Sequence, residues 1–269
     1  MTPLDALSAF LLDMDGTLYL GKKRLPGAEY LIQTLRDTGR RHLYLTNNPS
    51  SDGAAYAEKL RGMGIPAEAD EVFTAGAATA DHVARDLGFR RVFALGTPSF
   101  EAELRRAGVD PAAEDPEAVV LAFDKTLTYA KLERACLLLR AGLPYIASNP
   151  DKVCPTDYGY IPDCGAMAAL LFEATGRTPH FVGKPSPEFA RLALNRLGAR
   201  PEEAAMVGDR LYTDMEMARL AGMTGILLLS GETRPEDVDS APHRPAHMFE
   251  NAGALARALR GQGPSSAGA

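Results

Sequence analysis

The chain has 269 residues, 46% of them apolar and 24% charged, a globular composition with material for about two domains. Its 29 basic and 35 acidic residues give a net charge of −6, and no Lys/Arg block offers a nucleic-acid or anionic-membrane surface. Cys136, Cys154 and Cys164 contain no CxxC pair, so reduced thiols are expected, not a disulfide framework or a zinc cluster. No basic stretch precedes the first apolar run, Asp13 and Asp15 interrupt it, and no segment approaches the ~18 apolar residues of a membrane span. A soluble, cytoplasmic protein is the expectation.

Short apolar runs alternate with longer amphipathic segments, the mark of α/β architecture. Residues 8–12 read as a buried strand that ends in Asp13-Met14-Asp15-Gly16-Thr17. A helix over 30–38 closes at Gly39, and a second strand over 42–45 precedes Thr46-Asn47-Asn48-Pro49. Ser51 or Asp52 can cap a helix that ends at Gly62. Residues 80–180 carry a second set: strands over 92–95, 118–123 and 144–147, with helices over 100–107, 129–140 and 166–175. A short strand at 181–182 then precedes Gly183-Lys184-Pro185. It is followed by a helix over 187–197, a strand over 204–207, a helix over 213–221 and a strand over 226–229. The expected organisation is a parallel-sheet core from residues 1–79 and 181–260, interrupted by an α/β domain at 80–180, with a flexible Gly/Ser/Pro-rich tail at 261–269.

In an open parallel sheet, ligands collect beyond the carboxyl ends of the strands, so the loops after Leu12, Leu45, Val182 and Val207 are where chemistry belongs. Asp13 and Asp15 stand at i and i+2, on one face of an extended chain. Two carboxylates aimed at one spot raise each other's pKa and call for a cation or a shared proton, and oxygen ligands favour Mg²⁺. Alone, this pair reads equally well as a capped loop after a strand. Thr46-Asn47-Asn48 alone is an Asx-type turn, Lys184 alone a solvated surface group, and Asp209 with Asp214 a loop acid and a helix-start charge. Taken together, four strand ends deliver acid, hydroxyl, lysine and acid, a set able to hold Mg²⁺ and a phosphate.

Asp13-Met14-Asp15-Gly16-Thr17-Leu18 resembles the first motif of the haloacid-dehalogenase-like phosphatases, and Thr46, Lys184 and Gly208-Asp209 with Asp214 match the second, third and fourth in order. The long insertion between the second and third motifs is similar to the type IIA cap subclass. Leu45-Thr46-Asn47-Asn48-Pro49 and Gly208-Asp209-Arg210-Leu211-Tyr212-Thr213-Asp214 further resemble its p-nitrophenylphosphatase-like (NagD-like) branch, with Pro49 where that branch usually has Ser. The resemblance implies a Rossmann-like parallel-sheet core with an inserted α/β cap. It also implies a Mg²⁺-dependent hydrolase of small-metabolite phosphomonoesters (nucleotide, sugar phosphate or phosphoglycolate), working as a monomer or homodimer.

By that resemblance Asp13 is the nucleophile that forms an aspartyl phosphate, and Asp15 the acid and then base. Thr46, the Asn47 backbone N–H and Lys184 hold phosphoryl oxygens. Asp13, the backbone carbonyl of Asp15 and Asp209 bind the metal, with Asp214 behind them. Within the insertion, Asn149, Asp151 and Asp163 are candidates for substrate selection, the last opening a helix whose free N–H groups could meet an anion, although a surface turn and an ordinary helix start fit equally well. A phosphomutase sharing the aspartyl phosphate and a phosphate-binding regulator that kept the fold are the alternatives. Two other motifs are weaker. Gly62-Met63-Gly64 follows a helix and reads as its C-terminal turn. Gly183-Lys184 is no Walker A loop, because Thr178 and Pro185 stand where Gly and Ser/Thr are required.

Overall fold

The computed structural model of the chain describes residues 2–156 and 158–262. Ten strands build its two parallel sheets: β1 (Ala9–Asp13), β2 (Arg41–Thr46), β3 (Val72–Thr74), β4 (Val92–Leu95), β5 (Ala118–Leu121), β6 (Tyr145–Ala147), β7 (His180–Phe181), β8 (Ala204–Gly208), β9 (Thr224–Leu228) and β10 (His247–Phe249). The chain divides into two compact units, residues 1–46, 54–72 and 190–269 in the first, and 47–53 and 73–189 in the second. The second unit thus contains the segment 80–180 read from the sequence and extends beyond it on both sides.

The central sheet has the order β10-β9-β8-β1-β2-β3. All five residues of β1 are buried, which is why it reads as an unbroken apolar run ending in an acid, not as an alternating one. It pairs in parallel with β2 on one side and β8 on the other, setting Leu12 opposite Tyr44 and Val207. From β1 the chain winds one way through β2 and β3 and the other way through β8, β9 and β10. Strand order therefore reverses between β1 and β8, at the switch point where open α/β sheets form their crevice. Phe10, Leu12, Tyr44, Val207, Ile226 and Leu228 share one core with Leu31 and Leu35 of the helix Ala28–Asp37 and with Leu255 and Leu259 of the helix Ala252–Leu259. Each such fully buried side chain contributes roughly 1.5–3 kcal/mol of transfer free energy. The strand β10 and the helix Ala252–Leu259 have no counterpart in the sequence reading.

The second unit carries a four-stranded sheet in the order β7-β6-β5-β4, every pairing parallel. Strand β7 is a correction to the sequence expectation, which gave the strand before Gly183 to the core. Its register sets His180 opposite Ile146 and Phe181 opposite Ala147, and the N–H groups of Val182 and Gly183 continue the ladder onto the carbonyls of Ala147 and Ser148. A two-residue apolar run carries no mark of which sheet it joins. The helices Pro98–Arg106, Tyr129–Arg140 and Cys164–Thr175 match the sequence reading to within two residues, and a hairpin of Val153–Thr156 with Gly159–Pro162 is additional to it. Cys164 is buried, Cys136 and Cys154 are half-buried, and all three are free thiols. No helix among the described residues is long and apolar enough to cross a membrane. The expected flexible tail falls, from residue 263 onward, outside the described residues.

One buried acid in the second unit links fold stability to pH. Glu103 is 7% exposed and accepts the Thr74 hydroxyl at 3.2 Å. Burial pushes its carboxyl up to about 7, with the Thr74 hydrogen bond and Arg106 pulling the other way. A raised acid pKa means that the fold favours the protonated form. Its stabilisation is complete below the unfolded value and is lost as pH rises through about 7. Thermal melts should therefore show Glu103→Gln gaining on the parent protein between about pH 5 and about pH 8, by up to about 3 kcal/mol. A variant whose melting follows the parent's pH dependence throughout would contradict that assignment.

Candidate active site

Asp13 is the last residue of β1, and Asp209 directly follows β8, its neighbour across the switch point. Parallel pairing fixes both at the same end of the sheet. Asp214 reaches the same place from the irregular turn Leu211–Met215, where its carboxylate accepts the Arg210 backbone N–H at 3.1 Å. Carboxylate oxygens of these three residues lie within 4.8 Å of one another, and the residues are only 8%, 1% and 0% exposed. The hydroxyl of the fully buried Thr17 donates to Asp13 at 2.9 Å and lies 3.4 Å from Asp209, tying the two acids together.

Glycines make this approach possible. Gly16 has φ +94°, and a Cβ there would lie 2.3 Å from an Asp209 carboxylate oxygen. The sharp turn after β1 and the closeness of Asp209 thus both require a residue without a side chain. At Gly208 and Gly231 a Cβ would collide with the carboxylates of Asp214 and Asp209 at 2.3 and 2.0 Å. The turn itself is closed by the N–H groups of Leu18 and Tyr19, both donating to the Met14 carbonyl, and by Gly16 N–H on Tyr19.

The electrostatics follow from crowding acids in a dry place. Burial pushes the Asp209 carboxyl up, and the charges of Asp13 and Asp214 add to it, against the Glu232 backbone N–H that donates to it at 2.7 Å. Asp15 is also raised, first by burial and then by Asp13, with Lys59 and Arg210 opposing. Arg210 pairs with Glu232 at 2.9 Å, and Glu232 also accepts the Tyr212 hydroxyl at 2.8 Å. The donor set is three hard oxygen ligands whose mutual repulsion a divalent cation relieves, so these residues fit a metal such as Mg²⁺ or Ca²⁺. The Asp15 side chain lies outside this triad of carboxylates, and Asp214 lies within it.

Thr46, half-buried, ends β2 beside β1 in the first unit. In the second unit the Asn47 side chain hydrogen-bonds to the backbone of Lys184, which is itself 3% exposed, and Asn48 closes an Asx turn onto the Ser50 N–H at 2.9 Å. Asn149, Asp151 and Asp163 are turned toward one another. Asn149 donates to Asp151 at 3.0 Å and to Asp163 at 3.3 Å, and Asn149 and Asp163 are buried. Asp163 caps its own helix by accepting the Cys164 N–H at 2.5 Å, while Gly165 N–H donates to the Asp151 carbonyl at 2.8 Å. The first N–H groups of that helix are therefore occupied from within. Burial pushes the Asp163 carboxyl up to about 6 against the Cys164 and Asn149 hydrogen bonds.

Sequence comparison places these features in a family. Residues 10–110 match the model of the haloacid dehalogenase-like hydrolases and residues 181–255 a second, HAD-hydrolase-like model. The chain is 33% identical over 242 residues to the 5′-nucleotidase YutF of Bacillus subtilis (strain 168), a match covering 90% of this chain and 94% of that one. It superposes on the crystal structure of a 4-nitrophenylphosphatase from Thermotoga maritima with a TM-score of 0.91 and 43% identity, over 96% of this chain and 100% of the other. A glycerol phosphate phosphatase from Mycobacterium tuberculosis, solved in complex with magnesium, gives a TM-score of 0.87 and 32% identity over 95% of this chain and 78% of that one. The chain belongs to the haloacid dehalogenase-like hydrolases.

If the acidic triad holds a divalent cation, Mg²⁺ should raise the melting temperature of the parent protein, because binding to the native state alone shifts the folding equilibrium. At about a hundredfold excess over the dissociation constant the gain is about 2.7 kcal/mol. Asp209→Asn should melt without that Mg²⁺-dependent increment. An unchanged Mg²⁺ increment in the variant would remove Asp209 from the site.

Proposed function

We infer that the chain is a phosphoric monoester hydrolase that acts on small phosphorylated metabolites with Mg²⁺ as its cation. The observation that carries this reading is the buried triad of Asp13, Asp209 and Asp214 at the switch point of the central sheet, with Asp13 at the end of the middle strand. The family membership supports the reaction type, and the magnesium complex of the glycerol phosphate phosphatase supports the choice of cation. The similar proteins are named for a nucleotidase, a nitrophenylphosphatase and a glycerol phosphate phosphatase, three different leaving groups. That spread supports a small phosphomonoester as the substrate class.

On this reading the Asp13 carboxylate attacks phosphorus in line, the ester P–O bond breaks, and an aspartyl phosphate forms. The departing oxygen needs a proton, which Asp15 supplies; burial and the neighbouring Asp13 charge raise its pKa and so favour its protonated form. Asp15, now ionised, takes a proton from water as that water attacks the acyl phosphate, releasing inorganic phosphate and regenerating Asp13. Thr46, the Asn47 backbone N–H and the Lys184 ammonium hold the phosphoryl oxygens and offset their charge. Asp13, the backbone carbonyl of Asp15, Asp209 and Asp214 are the groups that would hold Mg²⁺, whose charge lets an anionic nucleophile approach an anionic phosphate.

A screen of phosphomonoesters should show inorganic phosphate released only with a divalent cation. Asp13→Asn should lower kcat by at least about 10³-fold with little change in melting temperature, because a neutral amide cannot attack. Full turnover by the variant would exclude Asp13 as nucleophile, and phosphate kept on an isomerised product would replace hydrolase with mutase.

A further inference from the structure

The side chain of Asn47 does something other than face a ligand. Its Oδ1 accepts the Lys184 backbone N–H at 2.8 Å, and its Nδ2 donates to the Lys184 carbonyl at 3.0 Å and to Asp151 Oδ2 at 2.8 Å. A primary amide has two N–H bonds, and both are now spent. None is left for a phosphoryl oxygen, so only the Asn47 main chain could contribute to phosphate binding. Exchanging the amide's O and N would set oxygen against a carbonyl and a carboxylate, and NH₂ against an N–H. The orientation is therefore fixed by its surroundings.

Those surroundings are themselves held. Asp151 takes a second hydrogen bond from Asn149 at 3.0 Å, and Asn149 is gripped by Ser148, whose hydroxyl donates to it at 2.7 Å, and by Asp163 at 3.3 Å. On the other side, Gly183 lets Asn47 come close. A Cβ at Gly183 would lie 2.8 Å from Asn47 Oδ1 and 2.5 Å from the Ser148 carbonyl, the group that accepts the Gly183 N–H at 2.7 Å. The glycine of Gly183-Lys184 thus serves this contact between two side-chain and main-chain partners 137 residues apart.

We propose that the Asn47 side chain is a positioning residue for Lys184, and that the chain Asp163–Asn149–Asp151–Asn47 is a polar clamp, buried at Asn149 and Asp163 and half-buried at Asp151 and Asn47, whose output is the placement of that lysine's main chain. The inference rests on the reading of Lys184 as a group that binds the phosphoryl oxygens. A lysine is a point charge on a long flexible stem, and it serves a transition state only if its root is fixed. A displacement of about 1 Å can cost on the order of 10²-fold in rate. The three acids and amides read from the sequence as candidates for substrate selection thus act through Lys184.

A double-mutant cycle tests this on the full-length protein. Asn47→Ala should lower kcat/KM by about 10–100-fold in the parent protein, yet cost little more than twofold in a Lys184→Ala background. Asn47→Asp, nearly isosteric, keeps an acceptor for the Lys184 N–H but turns oxygen toward the Lys184 carbonyl and Asp151. It should lose a similar factor, and adding Asp151→Asn, which restores a donor to face that oxygen, should recover about tenfold of it. A purely structural role would lower the melting temperature without this coupling or this rescue. Equal losses from Asn47→Ala with and without Lys184, or no recovery in the Asn47→Asp/Asp151→Asn pair, would overturn the clamp. Full activity in Lys184→Ala alone would remove the phosphate role of Lys184 and the clamp with it, a failure visible in the single variant and separate from the other two.

Discussion

The organising constraint of this protein is electrostatic: Asp13, Asp209 and Asp214 are buried with their oxygens within 4.8 Å of one another. At an effective dielectric constant of about 20, two unit charges at that separation repel by roughly 3–4 kcal/mol. Desolvation adds to that cost. A chain spends marginal stability on such an arrangement only where a cation or a reacting group compensates it, and both the glycine pattern and the topology serve it. Gly16, Gly208 and Gly231 are each placed where a single methyl group would drive one of these acids away.

The sheet explains why residues so far apart in sequence meet. Strands β1 and β8 are parallel neighbours, so their carboxyl ends lie side by side although Asp13 and Asp209 are 196 positions apart in sequence. Each strand contributes one acid at the position where its apolar run stops. Rigid, fully buried strands are a better platform for crowded like charges than loops would be, because the ladder and the core hold the backbone against the repulsion. The second unit repeats this logic on a smaller scale. Its polar side chains hydrogen-bond to one another around Asn149, and through Asn47 those hydrogen bonds reach the Lys184 backbone.

Much of this was legible in the sequence. The run Ala9–Leu12 ending in Asp13-Met14-Asp15-Gly16-Thr17 announced a buried strand with acids at its tip, and Ala204–Val207 before Gly208-Asp209 announced its partner. Sheet membership of short strands was not legible: His180–Phe181 has too few residues to show a face, and register with Ile146–Ala147 is a tertiary fact. The helix Ala252–Leu259 is alanine-rich and its apolar face becomes evident only against the helix Ala28–Asp37. The sequence has no signature that fixes how far the irregular turn Leu211–Met215 brings its acid, which stands with Asp13 and Asp209 within 4.8 Å. Asn149, Asp151 and Asp163 looked available because they are polar; side-chain hydrogen bonding to one another leaves no trace in one sequence.

The stereochemical course at phosphorus tests the chemistry assigned to Asp13 most directly. A phosphorothioate monoester made chiral at phosphorus with ¹⁶O and ¹⁸O, hydrolysed in H₂¹⁷O to inorganic thiophosphate and analysed for configuration, distinguishes one displacement from two. Two in-line displacements, first by the Asp13 carboxylate and then by water, leave net retention. Net inversion would mean that water attacks the ester directly, and that the acids at the head of the central sheet serve only to hold the cation.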